Sequence, residues 1–227
     1  GFFQRQGKVP DEADRLAALA HVGWRNVLLD RERGTVRYQR PGVELNFGAI
    51  GKGYALDRAA EELSRQEVDD FLLHGGSSSV LARGRRWDGT SDSGWSIGIG
   101  HPLRPGEKLG TVRLSDRALG TSGSGVQFFR SQGKRYGHIL DPRSGFPTEG
   151  VLSTTVLASD AATADALATA CYVLGVAETA ALCQKRPDVG VILTTPRSGG
   201  AAVDCRLFNL RDGEFTPSDE FRGEMIY

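Results

Sequence analysis

The sequence is poor in cysteine, and its few cysteines are badly spaced for cross-linking. Among 227 residues there are three, Cys171, Cys183 and Cys205, and no two of them form a C-x-x-C pair. Three cysteines cannot all pair, so this spacing argues against a disulfide framework and against a zinc knuckle. We expect all three to be buried as small apolar residues.

The sequence also lacks net charge and long hydrophobic runs. Its 28 basic residues balance 28 acidic ones without a clustered basic stripe, which argues against a nucleic-acid partner. No apolar run approaches the roughly 18 residues that span a membrane, so no membrane span is expected in this chain. The chain opens on Gly1-Phe2-Phe3-Gln4 without a signal-peptide pattern, and we expect any targeting segment to lie outside the residues given.

Glycine, by contrast, is abundant and clustered. The chain contains 30 glycines, many of them at the ends of predicted strands. Glycine at such positions lets the backbone come close to a ligand. Turn-rich β proteins also need glycines, so the clusters alone leave both interpretations open. The clusters are Gly48 to Gly53, Gly75-Gly76, Gly94 to Gly100 and Gly123 to Gly125.

Hydrophobic periodicity predicts many short strands and a few helices. Helical spacing occurs at residues 10–23, 53–67, 162–174 and 177–185. Strand patterns occur at residues 27–29, 35–38, 42–47, twice within 71–84, and at 95–99, 111–114, 136–140, 151–158, 189–194 and 202–210. This order favours an α+β fold of mixed, largely antiparallel sheets with a few packed helices. No repeat or composition break marks a linker, so residues 1–227 are expected to form a single domain.

Asp165 and Thr169 are the first candidate site residues. They are four positions apart in a predicted helix, so their side chains share one face. A carboxylate and a hydroxyl on one face can hold a hard divalent ion such as Mg²⁺. The alternative is a solvated or back-bonded pair without a ligand.

A glycine turn at residues 46–57 is the second candidate. It leads from a predicted strand into a predicted helix, where free backbone N–H groups and the charge of Lys52 could hold a phosphate. The segment matches neither G-x-x-x-x-G-K-[ST] nor G-x-G-x-x-G in full. A simple helix-start turn with a solvated lysine is the alternative.

With two further motifs, the chain resembles the ApbE-type flavin transferases, which move FMN from FAD onto a protein threonine with Mg²⁺. Five family motifs occur in order: the glycine turn, the Gly75-Gly76 bend, Thr121-Ser122-Gly123, the segment H-I-L-D-P-R-S-G-F-P from His138, and D-A-L-A-T-A from Asp165. The resemblance covers approximately Gly42 to Gly175. It implies a flavin transferase (T-fold-like) architecture with FAD in a groove between sheets.

The resemblance also implies which residues bind the ligands. The metal ligands would be Asp165, the Thr169 hydroxyl and the backbone carbonyl of Ala49, completed by phosphate oxygens of FAD. The implied FAD contacts are Asn46, Lys52, Asp57, Gly75, Gly76, Ser77, Thr121, Ser122, Gly123, Ile139 and Leu140.

The catalytic assignments implied are His138 and Asp141. An imidazole titrates near neutrality, which suits His138 as the base that accepts the threonine proton. Asp141 would orient the histidine or cap the turn before Pro142. A hydrogen-bonded histidine that merely holds the loop is the alternative for His138.

Three departures from the family pattern are visible. Asn46 replaces the first acid of the glycine turn, and Ser77-Ser78-Ser79 follows the Gly-Gly bend where an acid is usual. Serines can donate hydrogen bonds to a flavin or phosphate, but they bind a cation less tightly than a carboxylate. The N-terminal portion of the family also has no counterpart here, so we expect the domain to lack it.

The expected function is Mg²⁺-dependent transfer of FMN from FAD to a threonine of an acceptor redox protein, with release of AMP. The alternatives are a Mg²⁺-dependent FAD pyrophosphatase, which differs only in using water as the acceptor, and an FAD-binding protein without turnover. Because members of this family are often exported, we expect the protein to lie in the bacterial periplasm or to be anchored at the outer face of the membrane.

Overall fold

The structure is a computed structural model that describes residues 7–86, 94–123, 128–197, 202–221 and 223–227. The opening Gly1-Phe2-Phe3-Gln4 lies outside the described residues. So do Ser124 and Gly125 of the last glycine cluster.

The helices are α1 (Glu12–Leu19), α2 (Gly51–Arg65) and α3 (Ala161–Lys185), with a 3₁₀ turn at Trp24–Asn26. Helix α1 is shorter than the sequence predicts, because His21 and Val22 donate to carbonyls three residues back and the last turn tightens. Helix α3 is interrupted at Gly175, whose φ of 77° is not helical. The two helices predicted on either side of this glycine are therefore confirmed.

The strands are short and follow one another with tight connections. They are β1 (Val27–Asp30), β2 (Thr35–Tyr38), β3 (Phe71–His74), β4 (Ser79–Arg83), β5 (Trp95–Gly100), β6 (Lys108–Leu114), β7 (Ala118–Gly123), β8 (Phe128–Ser131), β9 (Lys134–Gly137), β10 (Ser153–Ala158), β11 (Gly190–Pro196), β12 (Val203–Phe208), β13 (Phe215–Pro217) and β14 (Gly223–Ile226).

These strands form one large sheet and three small ones. The large sheet has seven strands in the order β14-β12-β11-β10-β7-β4-β3, and β13-β6-β5 form a three-stranded sheet. The pairs β1-β2 and β8-β9 are separate hairpins. All pairings are antiparallel except β12 with β14, which is parallel. The predicted α+β class with largely antiparallel sheets is confirmed.

Two sequence predictions about strands are wrong. Residues 43–47 pair with no strand in the described part of the chain; Phe47 instead accepts hydrogen bonds from Ile50 and Gly51 at the start of α2. Strand β9 ends at Gly137, before the predicted end at Leu140. Beyond it, Leu140 forms only an isolated bridge with Pro147.

The chain groups into two compact units. The first contains Gly1–Asn46 and Val126–Glu149, with α1 and the two hairpins. The second contains Phe47–Gly125 and Gly150–Tyr227, with the two larger sheets, α2 and α3. The single domain expected from composition stays a prediction.

In the second unit, the seven-stranded sheet is covered on both faces. One cluster joins it to the three-stranded sheet and includes Val80, Leu119 and Leu157 with Val112 and Leu114. The other cluster joins its opposite face to α2 and α3. Successive residues of a strand point to opposite faces, so alternation along β4 and β7 decides which side chains face the helices.

All three cysteines are free and buried, as predicted. Burial raises the pKa of the Cys183 thiol to about 11 and that of Cys205 to about 12. These thiols are apolar packing elements at neutral pH.

Among the described residues, one helix, α3, has the length and composition of a membrane span, with a mean hydropathy of 1.6. The core helix of a folded domain meets the same criterion. Because a single helix meets it by length and composition alone, with 28% of its apolar window buried in the structure, α3 is weak evidence for a membrane span.

Candidate active site

The site begins at the glycine turn that starts α2. The N–H groups of Ile50 and Gly51 both donate to the Phe47 carbonyl, which closes the turn and places Lys52 in the first helical turn. Gly53 follows, and a Cβ at this position would overlap the carbonyl oxygen of Ala161. The sequence Gly51-Lys52-Gly53 thus allows α2 to lie directly against the start of α3.

Asp165 lies at this contact, only 2% exposed. Its Oδ2 accepts a hydrogen bond from the Gly53 N–H at 3.1 Å, and its Oδ1 accepts one from the Ser79 hydroxyl at 3.1 Å. The Lys52 ammonium lies 3.2 Å from Oδ1 and 3.4 Å from Oδ2. A buried carboxylate is therefore held by two neutral donors and one cation.

Thr169 lies one helical turn beyond Asp165. Its hydroxyl is 2.9 Å from the hydroxyl of Ser122 at the end of β7. On the neighbouring strand, Thr154 donates to the Ala168 carbonyl at 2.6 Å. Helix α3 can approach this closely because Gly120 has no side chain: a Cβ there would be 2.5 Å from the carbonyl oxygen of Ala164.

The Thr121 side chain lies on the opposite face of the sheet from Ser122. Its hydroxyl is 2.9 Å from that of Thr155. Thr121 and Thr155 are register partners, and alternation turns both away from α3. The motif Thr121-Ser122-Gly123 is therefore the end of a strand that offers Ser122 to the helix side. The predicted contact of Thr121 with FAD stays a prediction.

Asp57, which is predicted to contact FAD, also has a structural role at the start of α3. Its two carboxylate oxygens accept hydrogen bonds from the N–H groups of Ala161 and Ala162, each at 2.8 Å. Asp160 caps the same helix end through the Thr163 N–H. Asp57 thus satisfies the free donors at the start of α3 from a neighbouring helix. Its predicted contact with FAD remains a prediction.

The Gly75-Gly76 bend connects β3 to β4 beside the site. Gly75 donates to the Ser79 carbonyl at 2.7 Å, and Gly76 has a positive φ of 69° that favours glycine. A Cβ on Gly75 would lie 3.4 Å from the Lys52 Cβ. The predicted residues Ser77 and Ala49 are both exposed.

The histidine segment belongs to the first unit and forms a tight loop of its own. Thr148 donates to the Ile139 carbonyl, and the N–H of Asp141 donates to the Phe146 carbonyl. The Asp141 carboxylate accepts hydrogen bonds from the backbone and guanidinium of Arg143 at 2.8–3.1 Å. The Arg143 side chain lowers the pKa of this carboxyl.

These contacts give Asp141 the turn role, with its carboxylate engaged by Arg143. The catalytic assignments of Asp141 and His138, and the FAD contacts of Ile139 and Leu140, stay predictions. Asn46 is an exposed residue of the same unit, and its predicted FAD contact is likewise untested.

Two residues of the site were absent from the sequence prediction. Ser79 is completely buried and donates a hydrogen bond to Asp165, whereas the sequence predicts a site role only for Ser77 among the three serines. Gly53 binds Asp165 through its backbone. Their positions in the sequence could have pointed to both residues. Ser79 is the first residue of β4, where the chain turns inward, and Gly53 is the last residue of the Gly51-Lys52-Gly53 sequence.

The donors present suit magnesium better than a softer metal. Among the described residues there is no group of three or more His, Cys, Asp or Glu side chains that could hold a metal. The oxygen atoms at this position are those of the Asp165 carboxylate, the Ser79 hydroxyl at 3.1 Å from Oδ1, and the Gly48 carbonyl, which lies 3.5 Å from the same Lys52 ammonium. All of them are hard donors. Mg²⁺ is commonly bound by one or two carboxylates with phosphates and water. The Lys52 ammonium beside Asp165 shows that this position attracts a cation.

Fold and site together define an α+β protein with a glycine turn suited to phosphate beside a buried carboxylate suited to a cation. The sequence model of the ApbE family matches residues 1–193, and the chain belongs to this family.

Individual proteins of the family are also similar to this chain. The chain is 36% identical to an FAD:protein FMN transferase of Klebsiella pneumoniae, over 82% of this chain and 57% of the relative. It is 34% identical to one of Treponema pallidum, over 75% and 50%. The crystal structure of an ApbE protein from Thermotoga maritima is similar with a TM-score of 0.74 and 34% identity, covering 83% of this chain and 60% of that one. The chain thus spans between half and three fifths of these proteins.

Proposed function

We propose that the protein transfers FMN from FAD to a threonine hydroxyl of an acceptor protein and releases AMP. The curated relatives bear the name FAD:protein FMN transferase, which supports the reaction class. The threonine target, the release of AMP and the use of Mg²⁺ come from the family resemblance of the motifs.

The observation that carries the proposal is the environment of Asp165. A carboxylate that is 2% exposed lies beside a half-exposed lysine at the start of a helix. Asp165, the Thr169 hydroxyl and the carbonyl of Ala49 would hold Mg²⁺. When bound, Mg²⁺ would neutralise negative charge on the FAD pyrophosphate.

The chain's own groups would do the remaining work. The Lys52 ammonium would bind phosphate oxygens. The N–H groups of Ile50 and Gly51 already donate to the Phe47 carbonyl, and that of Gly53 donates to Asp165. Ser122 would keep the Thr169 hydroxyl in a fixed orientation, since the two hydroxyls are 2.9 Å apart. Gly75 and Gly76 would let the bend lie close to the cofactor.

The bond changes are those of a phosphoryl-type substitution. The threonine oxygen forms a bond to the phosphorus of the FMN half, and the bond from that phosphorus to the bridging oxygen breaks. AMP leaves with this oxygen. For the proton of the threonine hydroxyl we retain His138 as the acceptor, because imidazole is basic enough near neutral pH.

The acceptor and the location are proposals from the resemblance alone. We propose a redox protein as the acceptor, and the periplasm or the outer face of the membrane as the place of reaction.

The test is an adduct assay with the purified chain. The chain is incubated with FAD, Mg²⁺ and a threonine-containing acceptor domain of a flavin-dependent redox protein, and the acceptor is analysed by mass spectrometry. An FMN adduct that disappears in Asp165→Asn supports the proposal. Glu178→Gln is the control, because it makes the same acid-to-amide change at an exposed position of α3.

Other results would overturn the transferase assignment. Free FMN and AMP without an adduct would identify a pyrophosphatase, and FAD that is bound but intact would identify a binding protein. An adduct that persists in Asp165→Asn would refute the role given to this carboxylate.

A further inference from the structure

We propose that Lys52 is a tethered counter-ion that occupies the cation position at Asp165 until a divalent metal displaces it. The inference rests on the metal site of the proposed function and adds a competitor to it. The site would then have two states: a metal-free state in which Lys52 pairs with Asp165, and a metal-bound state in which Lys52 is released.

The position of the Lys52 ammonium is the first observation. It lies 3.2 and 3.4 Å from the two oxygens of Asp165 and 3.5 Å from the Gly48 carbonyl. A carboxylate and a carbonyl of the glycine turn are the same kinds of donor that the metal would use. An ammonium and a metal ion therefore compete for one patch of negative charge.

The burial of Asp165 is the second observation. Its side chain is 3% exposed, and Ser79 and Gly53 supply only neutral donors. An ionised carboxylate in such a place needs a cation to offset its desolvation. Among the described residues the recorded ion pair of Asp165 is with Lys52, so this lysine supplies the compensation in the structure.

The looseness of the pair is the third observation. Charge-assisted N–H···O bonds are commonly about 2.7–2.9 Å long. Both contacts from Lys52 to Asp165 are longer, and the lysine side chain is 41% exposed. The ammonium can move into solvent on its flexible stem and gives up only these long contacts, together with the 3.5 Å contact to the Gly48 carbonyl. It is a partner that a stronger cation can replace.

Displacement has a consequence for substrate binding. A released ammonium at the start of α2 is free to bind a phosphate oxygen through a charge-assisted hydrogen bond. Binding of metal and binding of phosphate would then favour each other, because each removes Lys52 from Asp165.

The test measures metal binding alone, without FAD. Mn²⁺ serves as the probe, since the electron paramagnetic resonance signal of free Mn²⁺ falls when the ion binds. Lys52→Met removes the charge and keeps most of the stem, and we expect it to tighten Mn²⁺ binding about tenfold, which equals about 1.4 kcal/mol. Lys185→Met, an exposed lysine at the end of α3, makes the same change in net charge and should leave the affinity within twofold.

A second readout is the melting temperature of the metal-free protein. Lys52→Met leaves Asp165 without its cation, so we expect a lower melting temperature that added Mn²⁺ restores. Lys52→Gln provides a second uncharged variant if the methionine variant folds poorly.

Equal or weaker Mn²⁺ binding in both uncharged variants would overturn the inference. Asp165→Asn separates this failure from that of the proposed metal site. If Asp165→Asn abolishes Mn²⁺ binding while Lys52→Met does not tighten it, only the counter-ion role fails. If Mn²⁺ binding is indifferent to Asp165→Asn, the metal site and the counter-ion role both fail.

Discussion

The Ser79 hydroxyl donates a hydrogen bond to Oδ1 of Asp165 at 3.1 Å, although the two residues are 86 positions apart. Both side chains are buried, and the sequence indicated Asp165 through its motif but gave no local signal for Ser79 as its partner. The bond connects the first residue of β4 to the carboxylate that we propose as a metal ligand.

Replacing Ser79 should therefore weaken the fold and the site together. Ser79→Ala removes a donor from a buried charged group, so we expect a loss of about 1.5–3 kcal/mol in the free energy of unfolding. Urea denaturation measures this loss. Ser77→Ala, two residues earlier at an exposed position, should change stability by less than about 0.5 kcal/mol. Equal effects of the two variants would contradict the role of Ser79.

The contact of α2 with α3 gives a prediction about glycine. A Cβ at Gly53 would overlap the Ala161 carbonyl, so Gly53→Ala must separate the two helices. We expect a loss of about 1–3 kcal/mol from overpacking and weaker Mn²⁺ binding, because the Gly53 N–H moves away from Asp165. Gly51→Ala is the matched control, since its Cβ would meet only the Phe47 Cβ at an ordinary 3.8 Å. A stable Gly53→Ala protein with unchanged Mn²⁺ affinity would refute this packing argument.

The pair of Asp141 and Arg143 predicts a dependence on pH. Side-chain hydrogen bonds from Arg143 lower the pKa of the Asp141 carboxyl below its ordinary value of 3.8. Because the folded pKa is depressed, the pair stabilises the fold above pH 3.8, and this contribution is lost as the pH falls through the folded pKa. Carboxyl-carbon NMR titration should place the Asp141 midpoint below 3.8, and Arg143→Leu should raise it.

Arg186→Leu is the control for that titration. Arg186 forms a similar pair with Asp188 and should leave the Asp141 midpoint unchanged. An Asp141 midpoint that does not move in Arg143→Leu would show that the arginine is not the cause.

The cysteines predict slow thiol chemistry. Burial raises the pKa of Cys171, Cys183 and Cys205, and buried thiols are protonated and inaccessible at pH 8. A disulfide reagent such as DTNB should react with none of the three within minutes in the folded protein, and with all three after denaturation. Rapid reaction of one thiol in the folded chain would show that its segment opens.

Local patterns in the sequence predicted much of the fold. The hairpin of β1 and β2, the start of α2 and the break at Gly175 all follow from turn residues and periodicity, which act over a few residues. The segment 42–47 was misassigned because its alternation is real but no partner strand is available to it in the described part of the chain.

The site was predicted less completely, because its contacts are not local. Asp165 and Lys52 could be chosen from their motifs, and the structure brings them together. Ser79 could not be ranked above Ser77, since the difference depends on which residue begins β4 and faces α3. Asp57 is predicted to contact FAD because its motif lies in the glycine turn, and this stays a prediction. The sequence gave no sign of its second role, since the helix that its carboxylate caps lies 104 and 105 positions away.

The contacts of Asp165 also bear on the order of events during synthesis. Lys52, Gly53 and Ser79 are 113, 112 and 86 positions upstream, so all three have been made long before the carboxylate exists. Contacts this distant in sequence close long loops, and the entropy lost on closing them slows folding. A nascent chain that stops before α3 therefore has the described partners of Asp165 but lacks the carboxylate itself. A metal ion added during refolding would stabilise only molecules that have completed the α2–α3 contact.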